Sequence, residues 1–264
     1  MPTSIAVSSG KGGVGKTSVS VNLALTLQTL GKRVAIFDAD FGMANSHILL
    51  GVNPSHTLSD VLNGSMSMKD IMCRGPKDIA ILSGGSGLLD MLNVDPAGRY
   101  QAIRMIDQIK DEIDVLIVDV PAGASDNSVS FVSASDRALV VLVGEPTSFL
   151  DAYSFIKACH LETGLSDFTV VVNMASNEAE AKKHFDKFNS IAMQFLDVRL
   201  RFGGHVPFSQ RIRKSIIDRK PIALQKTDLP EVNAFRTIAK RVLDAPMNTA
   251  KGIRFFDQGT KGEG

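Results

Sequence analysis

Five short segments of the chain are almost continuously apolar. They are IAV at 5–7, VAIFD at 34–38, VLIVD at 115–119, ALVVLV at 138–143 and TVVVN at 169–173. Between most of them apolar residues recur at helical spacing. In residues 17–30, Val19, Leu23, Leu27 and Leu30 fall on one face, with Asn22, Thr26 and Gln28 between them. Further helices are predicted over 98–110, 185–196 and 230–243. Unbroken apolar strands alternating with helices predict a parallel sheet covered on both faces. The expected fold class is therefore α/β: a mostly parallel twisted sheet with helices on both sides, in a single domain.

The pattern is weaker elsewhere. Residues 53–92 mix short helical pieces (SDVLNG, MKDIM) with a turn-rich IAILSGGSG, and short amphipathic pieces follow Pro207. From Thr249 the chain holds four glycines and few apolar residues besides Ile253, Phe255 and Phe256. The expectation is one domain over 1–247 and a fraying, flexible tail over 248–264.

Composition narrows the class. The 264 residues include 29 basic and 28 acidic ones, for a formal charge of +1. No global field attracts nucleic acid, so DNA binding is not expected. The cluster Arg211, Arg213, Lys214, Arg219 and Lys220 reads as a solvated face. Two isolated cysteines, Cys73 and Cys159, predict a reducing compartment and make no zinc site alone. No signal peptide and no uncharged transmembrane stretch is read, so a cytoplasmic location is expected.

The first strand runs directly into SSGKGGVGKTS. Residues 10–17, GKGGVGKT, fit G-x-x-x-x-G-K-[ST] where a strand gives way to a helix, the setting that a phosphate loop needs. Gly10, Gly12, Gly13 and Gly15, with Val14 between, let backbone N–H groups turn inward on an anion at the helix start formed by Lys16, Thr17 and Ser18. Lys16 is assigned to the β/γ-phosphates of ATP and Thr17 to Mg²⁺. Open sheets of this kind take ligands at the carboxyl ends of their strands. Asp38, Asp119 and Asn173 each close an apolar run there. Asp119 reads as the magnesium-shell carboxylate, Asp40 in FDADF as the residue that positions the attacking water, and both are candidate metal-site residues. The Asn173 amide carries a donor and an acceptor, which suits the edge of adenine.

A phosphate loop needs one lysine, and this one has a second, Lys11. SGKGGVGKT resembles the deviant Walker A motif, K-G-G-x-G-K-[ST], of the MinD/ParA family. The resemblance continues through DADFGMAN and VDVPAG, where Asp40 and Asp119 match the two switches, and covers essentially the whole chain. Within the family, DADFGMANSHILLGVNPSHTLSDVLNG and GEPTSFLDAYSFIKAC look most like the flagellar-number regulators FlhG/FleN.

The resemblance implies an ATPase with Mg²⁺ that dimerises on ATP, with Lys11 crossing to the partner's nucleotide as a catalytic cation. It implies Asn173 and Pro207 at the base, with Phe208 either against the ring or in the core. It further implies slow, partner-stimulated hydrolysis that regulates flagellar number or placement. The partners implied are a flagellar GTPase of FlhF type and a flagellar transcription activator. The alternative is MinD/ParA-like positioning for division, chemoreceptors or other cargo. GIRFFDQGTKGEG lacks the length of a membrane-binding amphipathic helix, so stable attachment through it is not expected. A transient contact at the inner membrane or a cell pole is left open.

Overall fold

A computed structural model describes residues 1–41, 44–84, 96–250 and 252–256. Among them eight strands form one sheet: β1 (Thr3–Ser8), β2 (Val34–Asp38), β3 (Cys73–Arg74), β4 (Ala80–Ser83), β5 (Val115–Asp119), β6 (Arg137–Val143), β7 (Asp167–Ala175) and β8 (Arg199–Pro207). Their spatial order is β3-β4-β2-β5-β1-β6-β7-β8. All neighbours are parallel except β3, which runs antiparallel to β4 on the edge.

The helices are α1 (Lys16–Thr29), α2 (Ser46–Leu49), α3 (Leu58–Leu62), α4 (Pro96–Met105), α5 (Asp126–Ala134), α6 (Pro146–Thr163), α7 (Glu178–Phe195), α8 (Gln210–Ile217) and α9 (Pro230–Leu243). Alternate residues of each central strand point to opposite faces. Ile5, Val7, Ile36 and Ile117 pack with Leu23 and Leu27 of α1 and Phe235 and Ile238 of α9. Ala6, Phe37, Leu116 and Val118 face the other way, onto Phe131, Phe155 and Phe188. Both faces are covered, which is why these strands carry no polar alternation. α1 is covered on its outer sides too: Asn22 and Thr26 are buried, and the Asn22 amide donates to the Ser18 carbonyl at 2.8 Å and accepts from the Ala223 N–H at 3.0 Å.

Three expectations change. IAILSGGSG is not all turn, because its first residues form β4. The predicted helix over 98–110 is split: α4 ends at Met105 and a 3₁₀ turn, Ile106–Ile109, follows. The RLRFGGHVP segment, not read as a strand, is β8. Its open edge lets Arg199 and Arg201 reach solvent and pair with Asp167 at 3.2 and 3.5 Å. Its pairing with β7 shifts register after Val170, at Gly203 and Gly204. A Cβ on Gly203 would stand 2.6 Å from Thr169 Cγ2.

The tail also differs from the fraying one expected. Phe255 and Phe256 are buried, and Phe255 stacks on Phe131 at 6.5 Å between ring centres. The Phe255 N–H donates to the Ala134 carbonyl and the Phe256 N–H to Asp107. Arg254 pairs with Asp136, which also accepts from the Ser4 N–H and hydroxyl. Burial of two aromatic rings outweighs the glycine content as far as Phe256. Residues 257–264 lie outside the described residues.

Candidate nucleotide site

The sheet brings the motif residues together by register. Val7 of β1 lies beside Asp119 of β5, and Asp119 lies beside Asp38 of β2. The glycine loop leaves β1 at the centre of the sheet, directly over these carboxylates. Lys16 Nζ stands 2.7 Å from Asp119 Oδ1, and both side chains are buried. The same carboxylate oxygen accepts from the Ser20 hydroxyl at 2.8 Å, and Oδ2 accepts from the Ser46 hydroxyl at 3.3 Å. Ser20 is one helical turn after Lys16, so that spacing was a readable signal. Ser46, eight residues past β2, gave none.

The loop is seated as tightly as its glycines require. A Cβ on Gly10 would lie 2.1 Å from the Asp151 carbonyl carbon, so α6 crosses against bare backbone. Gly15 has φ +85°, and a Cβ there would lie 2.4 Å from Asn173 Nδ2. Gly12 and Gly13 face open space, where an added Cβ would meet nothing. The Gly123 N–H, after Asp119 and Pro121, donates to the Ser9 carbonyl at 2.9 Å and joins the two loops.

Thr17, Ser18 and Asp40 are half-buried at this edge. The donor set is a hydroxyl, carboxylates and backbone amides around an open loop. Hard oxygen ligands of this kind suit Mg²⁺, which keeps waters and phosphate oxygens in its shell. No group of three or more His, Cys, Asp or Glu side chains able to hold a metal occurs among the described residues. The site thus fits a magnesium nucleotide.

Asp38 is an unexpected hub. It is 1% exposed, and its carboxyl is pushed up to about 7 by burial and by the charge of Asp119. It accepts from the N–H groups of Asp40 (3.2 Å), Asn45 (2.9 Å) and Ser46 (2.8 Å).

Lys11 does not enter this cradle. Its ammonium lies 3.1 Å from Glu145 and 3.0 Å from the Thr147 hydroxyl, at the start of α6. On the base side, Asn173 Nδ2 donates to the Val14 carbonyl at 2.7 Å, and Oδ1 accepts from the Met174 N–H at 2.9 Å. One N–H and one lone pair of that amide remain for a ligand. Pro207 ends β8 beside Ala175, and Phe208 is 69% exposed, which removes the core reading for its ring.

A strand, a glycine loop, Lys16–Thr17 and a strand-end aspartate in this arrangement form a phosphate-loop nucleotide site. The family model that matches residues 1–243 is ParA, described as the NUBPL iron-transfer P-loop NTPase. The chain belongs to the ParA family. It is 39% identical to the antiactivator FleN of Pseudomonas aeruginosa over 96% of this chain and 91% of that one. It is 31% identical to the septum site-determining protein MinD of Bacillus subtilis, over 92% and 90% of the two chains. The structure of MinD from Pyrococcus horikoshii complexed with Mg-ADP superposes with a TM-score of 0.74 at 26% identity, over 92% of this chain and 96% of that one. This ParA-family chain is a P-loop ATPase of the MinD/ParA type that takes ATP and Mg²⁺. No helix among its described residues is long and apolar enough to cross a membrane.

Proposed function

We propose that this ATPase is a dimerisation switch driven by ATP, with slow, partner-stimulated hydrolysis, and that it regulates the number or placement of flagella. The observation that carries the switch is the position of Lys11. It sits at the mouth of the phosphate loop yet binds Glu145 and Thr147 outside it, a cation not used by its own cradle. Supplied to a facing copy, such a cation offsets the negative charge that phosphoryl transfer spreads over equatorial oxygens. Hydrolysis is then tied to assembly.

The remaining roles follow the site. The loop N–H groups and Lys16 bind and orient the phosphates, and exchange of Asp119 for phosphate frees the Lys16 ammonium to do so. Thr17, Asp40 and Asp119 are the residues that would hold Mg²⁺. Bound Mg²⁺ supplies Lewis-acid charge neutralisation. Asp40 orients the water that attacks. Asn173 and Pro207 border the base, with Gly10, Gly12, Gly13, Val14, Gly15 and Ser18 shaping the cradle.

Similarity to an antiactivator supports a transcription activator as one partner, and the resemblance to FlhG/FleN supports a flagellar GTPase of FlhF type as another. Similarity to a septum site-determining MinD supports a second reading, positioning of division or other cargo. Membrane or pole contact belongs to that reading. Arg211 and Lys214, paired with Glu231 and Asp218, favour a solvated face over a DNA-binding one.

The Lys11→Ala variant tests the switch. It is expected to bind ATP with near-normal affinity while staying monomeric in light scattering with ATP and Mg²⁺, and to lose turnover at least 10-fold. Normal dimerisation and turnover would remove the trans role. Asp40→Ala is expected to accumulate as an ATP-bound dimer. For the cellular role, cells lacking the gene are expected to show altered flagellar number or position by electron microscopy; unchanged flagella favour the positioning reading.

A further inference from the structure

We propose that Asp38 is a positioning residue for hydrolysis: it closes the loop that carries Asp40, and Ser46 links that closure to Asp119. This rests on the reading of Asp40 as the residue that orients water. The chain leaves β2 at Ala39, and Asn45 and Ser46 lie back against its end, so both described ends of this excursion are tied to the same place. At its start, the Ala39 N–H donates to the Asp119 backbone carbonyl at 3.0 Å and the Asp40 N–H to Asp38 Oδ1. At its end, the Asn45 and Ser46 N–H groups both donate to Asp38 Oδ2. One buried carboxylate therefore gathers three N–H groups from the two ends of the excursion. Three donors converging on one buried carboxyl group fix both ends at once, and burial strengthens such bonds.

The second part of the inference is the Ser46 hydroxyl. Its N–H goes to Asp38 and its Oγ to Asp119 Oδ2, so one residue joins the two strand-end carboxylates. Asp119 also holds Lys16 and Ser20 on its other oxygen. Any displacement of Asp119 would reach the Asp40 loop through the Ser46 hydroxyl. The loop needs such a constraint, since catalytic groups work within about 0.5 Å of their productive placement. A displacement of about 1 Å can cost roughly 100-fold in rate.

The variants Asp38→Ala, Asp38→Asn and Ser46→Ala separate the contributions. The Asn side chain keeps an oxygen for Asn45 and Ser46 but turns an NH₂ toward the Asp40 N–H. ATP turnover and nucleotide affinity are measured for each, together with hydrogen exchange of the 39–46 amides. The expected result is a kcat loss of about 10- to 100-fold for Asp38→Ala, a smaller loss for Asp38→Asn, and at least a 3-fold loss for Ser46→Ala. KM for ATP should remain within about 3-fold throughout, and exchange in 39–46 should rise in the same order. Wild-type kcat in the Asp38 variants would overturn the proposal, as would a fall in ATP affinity that matches the fall in kcat. Should both Asp38 variants fail to fold, Ser46→Ala decides: unchanged kcat and exchange would overturn it. Asp40→Ala is measured alongside. If it abolishes turnover while the Asp38 variants turn over normally, this proposal alone fails; if it turns over normally, the reading of Asp40 fails and takes this one with it.

Discussion

At the scale of single residues, the site is defined by what has been left out as much as by what is present. Gly15 holds a left-handed backbone and leaves no room for a Cβ beside Asn173. An L-residue in that conformation costs roughly 1–2 kcal/mol before any clash. Gly15→Ala is expected to weaken binding of a fluorescent ATP analogue by at least about 10-fold, with the loop or Asn173 displaced. The two cysteines offer a contrasting test. Burial pushes the Cys159 thiol up to about 12, while Cys73 lies half-buried on the edge strand. A thiol reagent at pH 8 is expected to label Cys73 and leave Cys159 intact until the protein unfolds, as peptide mapping would show. Spacing put Lys16 and Thr17 in a phosphate loop and Asp119 at a strand end, and the fold brings Lys16 and Asp119 together; Lys11 was singled out by the family resemblance, not by spacing. The Asp38 hub was not legible, since a carboxylate that binds backbone N–H groups leaves no pattern in the residues that supply them.

At the scale of elements, legibility followed burial. VAIFD and VLIVD match β2 and β5 to the residue, and 230–243 matches α9, because both strand faces are covered and α9 shows one clear apolar face. β8 escaped because an edge strand admits charge and because two glycines at its register shift read as a turn. β4 escaped because four residues leading into a glycine-rich run look like a turn. α7 begins earlier than the expected 185, at Glu178, since its first turns are solvated and its start is set by a cap. The Asn177 side chain accepts from the Glu180 N–H at 2.9 Å. Asn177→Ala is expected to cost about 1 kcal/mol, an N-cap loss. For a domain of this size that lowers the melting temperature by about 2–4 °C. Thermal denaturation followed by circular dichroism would show it.

At the scale of the whole molecule, the ligand edge and the opposite edge of the sheet are organised differently. The carboxyl ends of the strands carry loops, polar networks and the nucleotide site. The amino ends are closed by the segment that runs from α9 through Asn248 and Arg254 to Phe256. Asn248 donates to the carbonyls of Ser133 and Ser135, and Arg254 reaches Asp136. Through Phe131, Phe255 shares an aromatic cluster with Phe37 and Phe41. Phe255→Ala is expected to destabilise the fold by about 3 kcal/mol, the low end for a buried ring, and to expose the Arg254 backbone to trypsin. A tail that frayed from Thr249 would show neither effect. The anchoring also gives the floor of the domain a fixed, addressable point. Met247 is exposed beside the anchored Asn248, so a fluorophore attached there through a cysteine can report on where the molecule sits in the cell while keeping clear of the nucleotide mouth.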